Sequence, residues 1–157
     1  MGDSVPGSVG DYAASLGTTG FDYPVTSLIN NTPVTLPPSG MFVKPTGVRA
    51  ADVTDGLSNT LLLGEKHVPT GKDLNAPYDC NTFDGHNIFC STRSAGPGFP
   101  LAAAPTDDRL LFGGPHPGVC MFVFADGGVR PVRNTIDEYA LGLLSHRADG
   151  QPAPADY

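Results

Sequence analysis

Apolar and polar positions alternate most regularly in the last quarter of the chain. Val119 to Phe124 is a run of β-branched and aromatic residues, Ala125-Asp126-Gly127-Gly128 carries the Asp-Gly signature of a tight turn, and Val129 to Val132 returns. This pattern predicts a β-hairpin. The period then changes, with Ile136, Ala140, Leu141 and Leu144 falling on one face at helical spacing. Asn134 or Thr135 is expected to cap that helix, Asp137 and Glu138 to fill its first turn, and His146 and Arg147 its last, before a stop near Gly150. Upstream, Leu61-Leu62-Leu63 running into Gly64-Glu65-Lys66-His67-Val68 has the length of a strand and follows a turn signal at Asn59 and Thr60. A shorter strand is expected over Met41-Phe42-Val43-Lys44, ended by Pro45, and one helical or 3₁₀ turn between Ala51 and Gly56.

The rest of the chain is punctuated, not periodic. Residues 1–40 are broken by glycine and proline and read as an extended segment laid over a core, and residues 69–109 form a long polar insertion. A stretch that long without elements of its own points to variation or function. The composition agrees: 20 glycines and 16 prolines in 157 residues leave few uninterrupted helical windows, which excludes a helical bundle, while 39% apolar and only 16% charged residues exclude simple disorder. The expectation is one α+β domain over residues 1–157, with a small antiparallel sheet, a C-terminal helix and long covering loops. Sixteen acidic residues against nine basic, a net charge of −7, disfavour nucleic-acid backbones and anionic lipid surfaces. No run approaches the roughly 18–20 apolar residues that cross a bilayer. Met1 leads into Gly-Asp-Ser-Val-Pro without the basic and apolar regions of a signal peptide. The chain is therefore expected to be cytosolic or to lack its targeting segment.

Candidate chemistry is sparse. Cys80 and Cys90 lie close together in a polar stretch, and in an oxidising compartment a disulfide between them is expected, with two free thiols the alternative. Cys120 lies in an apolar run and reads as an inert core residue. Asp52, Asp55, Asn59 and Glu65 are oxygen-bearing residues suited to calcium, but the same residue types make Asx turns and caps. A second such set is Asp79, Asn81 and Asp84. His116, between two prolines, is either a ligand or base or a brace whose ring bonds a side chain such as Asp126 or Glu65. Ser58, His116 and Asp126 are the raw materials of a hydrolase, without a nucleophile-elbow motif. His67 and His86 read as surface or loop residues. Tyr78, Phe83 and Phe89 are either stacking residues for a carbohydrate or small-cluster core.

Two blocks carry a family resemblance. Asp52, Thr54, Asp55, Gly56, Ser58, Asn59, Thr60, Gly64 and Glu65 match a D-x-T-D-G-x-S-N-T-x-x-x-G-E pattern, and His116 is followed by nine residues and then Asp126-Gly127. Together they resemble the H-X9-DG domain of prepilin-type proteins, the DUF1559 family, abundant in planctomycetes and their relatives. Asp11-Tyr12-Ala13-Ala14-Ser15 is similar to a third family segment, with Ser15 in the usual asparagine position. The resemblance implies a globular pilin- or pseudopilin-like head with residues 112–150 as hairpin and helix and 69–109 as a variable insertion. It also implies a family leader and hydrophobic N-terminal helix that this sequence does not show, so membrane contact would be made only through that helix.

The resulting expectation is a non-enzymatic structural or interaction protein of the cell envelope or extracellular surface, without a cofactor unless calcium binds. Its partners would be copies of itself or other envelope proteins, in a filament or secretion apparatus. The alternatives are a carbohydrate- or polymer-binding module and an accessory subunit of a larger envelope complex.

Overall fold

A computed structural model describes residues 7–43, 45–81 and 87–157. Among the described residues, seven strands and one α-helix follow one another as β1 (Tyr12–Ser15), β2 (Val25–Ile29), β3 (Thr32–Leu36), β4 (Leu61–Glu65), β5 (Thr92–Arg93), β6 (Val119–Phe124), β7 (Val129–Arg133) and α1 (Glu138–Ser145). Five of the strands form one sheet in the order β5-β1-β4-β6-β7, and β2 and β3 pair separately. The sheet is antiparallel apart from β5, which runs parallel to β1. The α+β class and the C-terminal helix are as the sequence pattern implies.

The hairpin of β6 and β7 supplies the clearest link from sequence to packing. Along β6, Cys120, Phe122 and Phe124 are buried and alternate with half-buried neighbours. The strand period of two thus places three large side chains on one face. They meet Leu61, Phe112, Val132 and, from α1, Leu141 and Leu144 in a single core. The Phe112 and Phe122 rings pack edge to face with centroids 5.1 Å apart. Gly64 lies opposite Phe122, and a Cβ there would come within 2.3 Å of the Phe122 ring. Only glycine lets that ring lie across the middle strand.

Three expectations are corrected. The strand over Met41–Val43 is absent, these residues being bend and irregular chain, and Lys44 lies outside the described residues. The segment 1–40 is not simply draped: β1 sits inside the sheet between β4 and β5, with Ala13 and Ser15 buried, and β2–β3 is a hairpin. Its turn residues Asn30 and Asn31 both take left-handed φ values, 51° and 61°, which asparagine tolerates and a two-residue hairpin turn requires. Helix α1 is capped by Asp137, whose side chain accepts from the Ala140 N–H at 3.0 Å, not by Asn134 or Thr135, and it ends at Ser145, several residues before Gly150.

Candidate functional site

The two sequence blocks meet along β4. At its entry, a 3₁₀ turn over Leu57–Asn59 receives the hairpin turn: the Ala125 N–H donates to Thr60 O at 2.8 Å and the Asp126 N–H to Leu57 O at 3.0 Å. Thr60 Oγ1 donates to Gly56 O and Asn59 Nδ2 to Asp55 O, so both side chains hold their own turn closed. Arg130 Nη2 donates to the Asp126 carboxylate at 2.6 Å while Nη1 reaches Ser58 O at 3.0 Å. That guanidinium, with the Gly128 N–H second, holds the Asp126 carboxyl below its ordinary range. Gly127 adopts φ 84°, the conformation that the tight turn demands. Thr54 is exposed.

At the exit of β4, Glu65 turns a carboxylate inward. The last ladder pair is Gly64 with Phe122. One step on, Glu65 Oε2 accepts the Met121 N–H at 2.7 Å, and Oε1 lies 3.1 Å from His116 Nε2. The Glu65 side chain is 9% exposed and the His116 side chain 53%. Gly114 crosses so close that a Cβ there would stand 2.0 Å from Oε2. His116 is therefore a brace for Glu65, and its partner is not Asp126. The neighbouring chain is clasped as well: the Gly113 N–H donates to Glu65 O and the His67 N–H to Leu111 O.

The four calcium candidates do not converge. The Asp52 carboxylate is bound by Arg49, which holds its carboxyl below the ordinary range, Asn59 serves its own turn, and Glu65 is engaged as above. The Asp55 carboxylate accepts the Asp149 N–H at 2.7 Å and the Gly150 N–H at 2.9 Å, tying the end of the second block to the first. Among the described residues, the close set of metal-ligand types is Asp55, His146 and Asp149, whose atoms lie within 4.8 Å of one another. Each already accepts a backbone N–H. In the second set, Asp79 forms a buried pair with Lys66 at 3.1 Å, and Asp84 lies outside the described residues. His116 is paired with Glu65 and Asp126 with Arg130, so the histidine–aspartate contact of a hydrolytic relay is not formed.

The segment 69–109 is more than a loop: its strand β5 pairs with β1 in the sheet and its Ala95 and Leu101 join the core. Cys80 and Cys90 form a disulfide. The buried Arg93 donates to the carbonyls of Tyr78, Phe89 and Thr92, and burial pushes its guanidinium down to about 10 against the opposing pull of Asp79. Tyr78 and Phe89 are half-buried, Tyr78 beneath Lys72, and Phe83 and His86 lie outside the described residues. His67 corrects its surface reading: it is buried, with Nε2 2.8 Å from Asp107 O. Burial pushes the Cys120 thiol up to about 12, as an inert core residue requires.

An open cleft of about 870 Å³ lies beside the β4 exit, lined among others by Asp11, Tyr12, Glu65, His67, His116 and Asn134. The sequence marked Glu65 and His116 for chemistry, Asn134 only as a helix cap and Asp11 only as part of a family segment, and it missed the burial of His67, because nothing local marks residues that meet only through sheet pairing.

The sequence pattern of a family described as proteins of unknown function, DUF1559, matches residues 6–139. The chain belongs to the DUF1559 family. Both blocks fall mainly within that match, and Asp55 inside it clamps Asp149 and Gly150, which lie beyond it. No curated protein and no solved structure matches this DUF1559 chain.

Proposed function

We propose that this DUF1559 protein is a non-enzymatic, pilin-like head of the cell envelope or extracellular surface that works through contacts with other proteins, copies of itself or other envelope components. The observation that carries the reading is where the motif side chains are spent. Asp55, Glu65 and Asp126 each accept backbone N–H groups from distant parts of the chain or from their own turn, so the blocks build a scaffold. A braced scaffold leaves its surface for contact. The β2–β3 hairpin is a sheet of its own, holds no charged residue between 25 and 36, and exposes Leu28 and Ile29 beside its turn. Apolar groups held out on a hairpin fit association better than turnover.

The test is made on the complete native gene product in its host, with an antibody raised against this head. Recovery from sheared surface material or the envelope fraction, together with protein partners after cross-linking, is the expected outcome. Recovery from the cytosol alone overturns the proposal.

A further inference from the structure

The β2–β3 hairpin has two edges, and they are not alike. Its turn, with Asn30 and Asn31 both at positive φ, closes on Ile29 and Thr32 as a hydrogen-bonded pair. Pairs alternate along an antiparallel ladder, so Leu28 with Pro33 and Thr26 with Thr35 are the pairs whose backbone groups point away from the hairpin. Two observations agree with that register. Pro33, which has no N–H to donate, falls where the hairpin needs none, and the Thr26 and Thr35 hydroxyls lie 3.2 Å apart, in keeping with the closer side chains of an outward-facing pair.

On the β3 edge, Pro33 withholds an outward donor and guards against a further strand. The β2 edge has no such guard. It carries no proline, bulge or charge, and Thr26 to Ile29 are all exposed, Leu28 by 69%. The N–H and C=O groups of Thr26 and Leu28 have no other backbone partner among the described residues. A two-stranded sheet is marginal in water, and a further strand along β2 would pair these groups and widen the sheet.

Charge and symmetry favour a second copy of this chain as the occupant. With a net charge of −7, two copies repel except where they meet without charge, and residues 25–36 hold no charged side chain. Set antiparallel to itself about Ser27, β2 brings Thr26 against the partner's Leu28 and Leu28 against the partner's Thr26, the hydrogen-bonded pairs of the new ladder. Ser27 then faces its own copy, and Val25 faces the partner's Ile29, an apolar β-branched pair that the symmetry repeats. We propose that two copies join edge to edge through β2 into one sheet of order β3-β2-β2-β3, which rests on the reading of this head as a protein that works by contact and names the contact and the partner. The pair is closed, because each copy spends its open edge.

The test is sedimentation equilibrium of the purified chain, from about 10 μM to about 1 mM in about 0.15 M salt, which screens the shared negative charge. A monomer–dimer equilibrium with a dissociation constant below about 1 mM is expected. Ser27→Lys and Ser27→Asp, at an exposed position, should each weaken it about tenfold or more, because either sign meets itself across the axis. Net charge moves towards zero in the first and away from it in the second, so general repulsion would drive the two variants in opposite directions. Thr35→Lys, on the proline-guarded strand, should change it less than about twofold. Ser27→Cys gives a readout without charge: mild oxidation should link it to its own copy faster than Thr35→Cys, since a facing pair lies within disulfide reach. Should a charged variant unfold, this cross-link decides alone. A monomer at about 1 mM, a dimer that both charged Ser27 variants leave within about twofold of the parent, or cross-linking no faster at residue 27 than at residue 35 overturns the proposal. The envelope reading is decided separately, by where the native protein is recovered, so either can fail without the other.

Discussion

Replacing Glu65 tests whether the β4 exit is braced as described. In Glu65→Ala the Met121 N–H loses an acceptor 2.7 Å away in a region where the carboxylate was only 9% exposed. Stranding a buried donor costs about 1–3 kcal/mol, and a hydrogen bond to a charged group carries about 1.5–3 kcal/mol. These overlap, so a loss of about 3 kcal/mol is expected, which in a domain of this length lowers the melting midpoint by about 6–12 °C. Glu65→Gln keeps the shape. Its carbonyl oxygen takes the Met121 N–H while its amide donates to His116, provided the imidazole moves its proton to Nδ1, so about 1 kcal/mol should be lost. His116→Ala removes a half-exposed partner and should cost less than about 1 kcal/mol. Urea denaturation of the three variants gives the ranking, and m-values unchanged from the parent would show that the denatured state is not the cause. Glu65→Ala within about 0.5 kcal/mol of the parent, or a cost no larger than that of His116→Ala, would refute the reasoning.

Gly64→Ala forces a methyl group into the Phe122 ring and should destabilise by about 1–3 kcal/mol in the same urea assay. Asp55→Ala releases the Asp149 and Gly150 N–H groups, so their amide exchange should accelerate at least about tenfold while that of β6 changes little. Replacing Cys80 and Cys90 together by serine opens a loop spanned by a sequence separation of 10 and should cost about 2–3 kcal/mol. The Cys120 thiol stays neutral in the fold up to about 12 but ionises from about 9 in the unfolded chain. The unfolded state therefore holds fewer protons in that window, and stability falls as pH rises, by up to about 1.4 kcal/mol per pH unit from this group. Cys120→Ala should flatten that slope between pH about 9 and 10.5, and parallel slopes would count against it.

How much of this was readable depended on whether the signal was local. The β6–β7 hairpin announced itself because alternation and an Asp-Gly turn lie in one window. Strand β1 did not, since Tyr-Ala-Ala-Ser has weak strand propensity and gains its place from pairing with Leu63–Glu65 and Thr92–Arg93. The β2–β3 hairpin had a usable signal in Asn30-Asn31, hidden by Pro33 next to the turn. At the helix start, Asn134 and Thr135 have the residue type of a cap, but the cap is Asp137, which the sequence pattern places in the first turn. The pairing of His116 with Glu65 over Asp126, and of Asp55 with Asp149-Gly150, joins residues far apart in sequence, and no local rule reaches that distance.

The spacing between His116 and Asp126 acquires a physical reason from these contacts. The strand between them, Val119–Phe124, has six residues and so spans about 20 Å. His116, before it, binds Glu65 at one end of β4, while Asp126, after it, docks by its N–H on Leu57 ahead of the other end. The two residues are thus fasteners at opposite ends of one strand pair. Their separation measures the length of β6 that must lie against β4. A residue inserted within β6 would displace one fastener or reverse the facing of Cys120, Phe122 and Phe124, because a slip of one position exchanges the two faces of a strand. Fixed spacing here follows from pairing two strands of set length, without requiring that the histidine and aspartate ever meet.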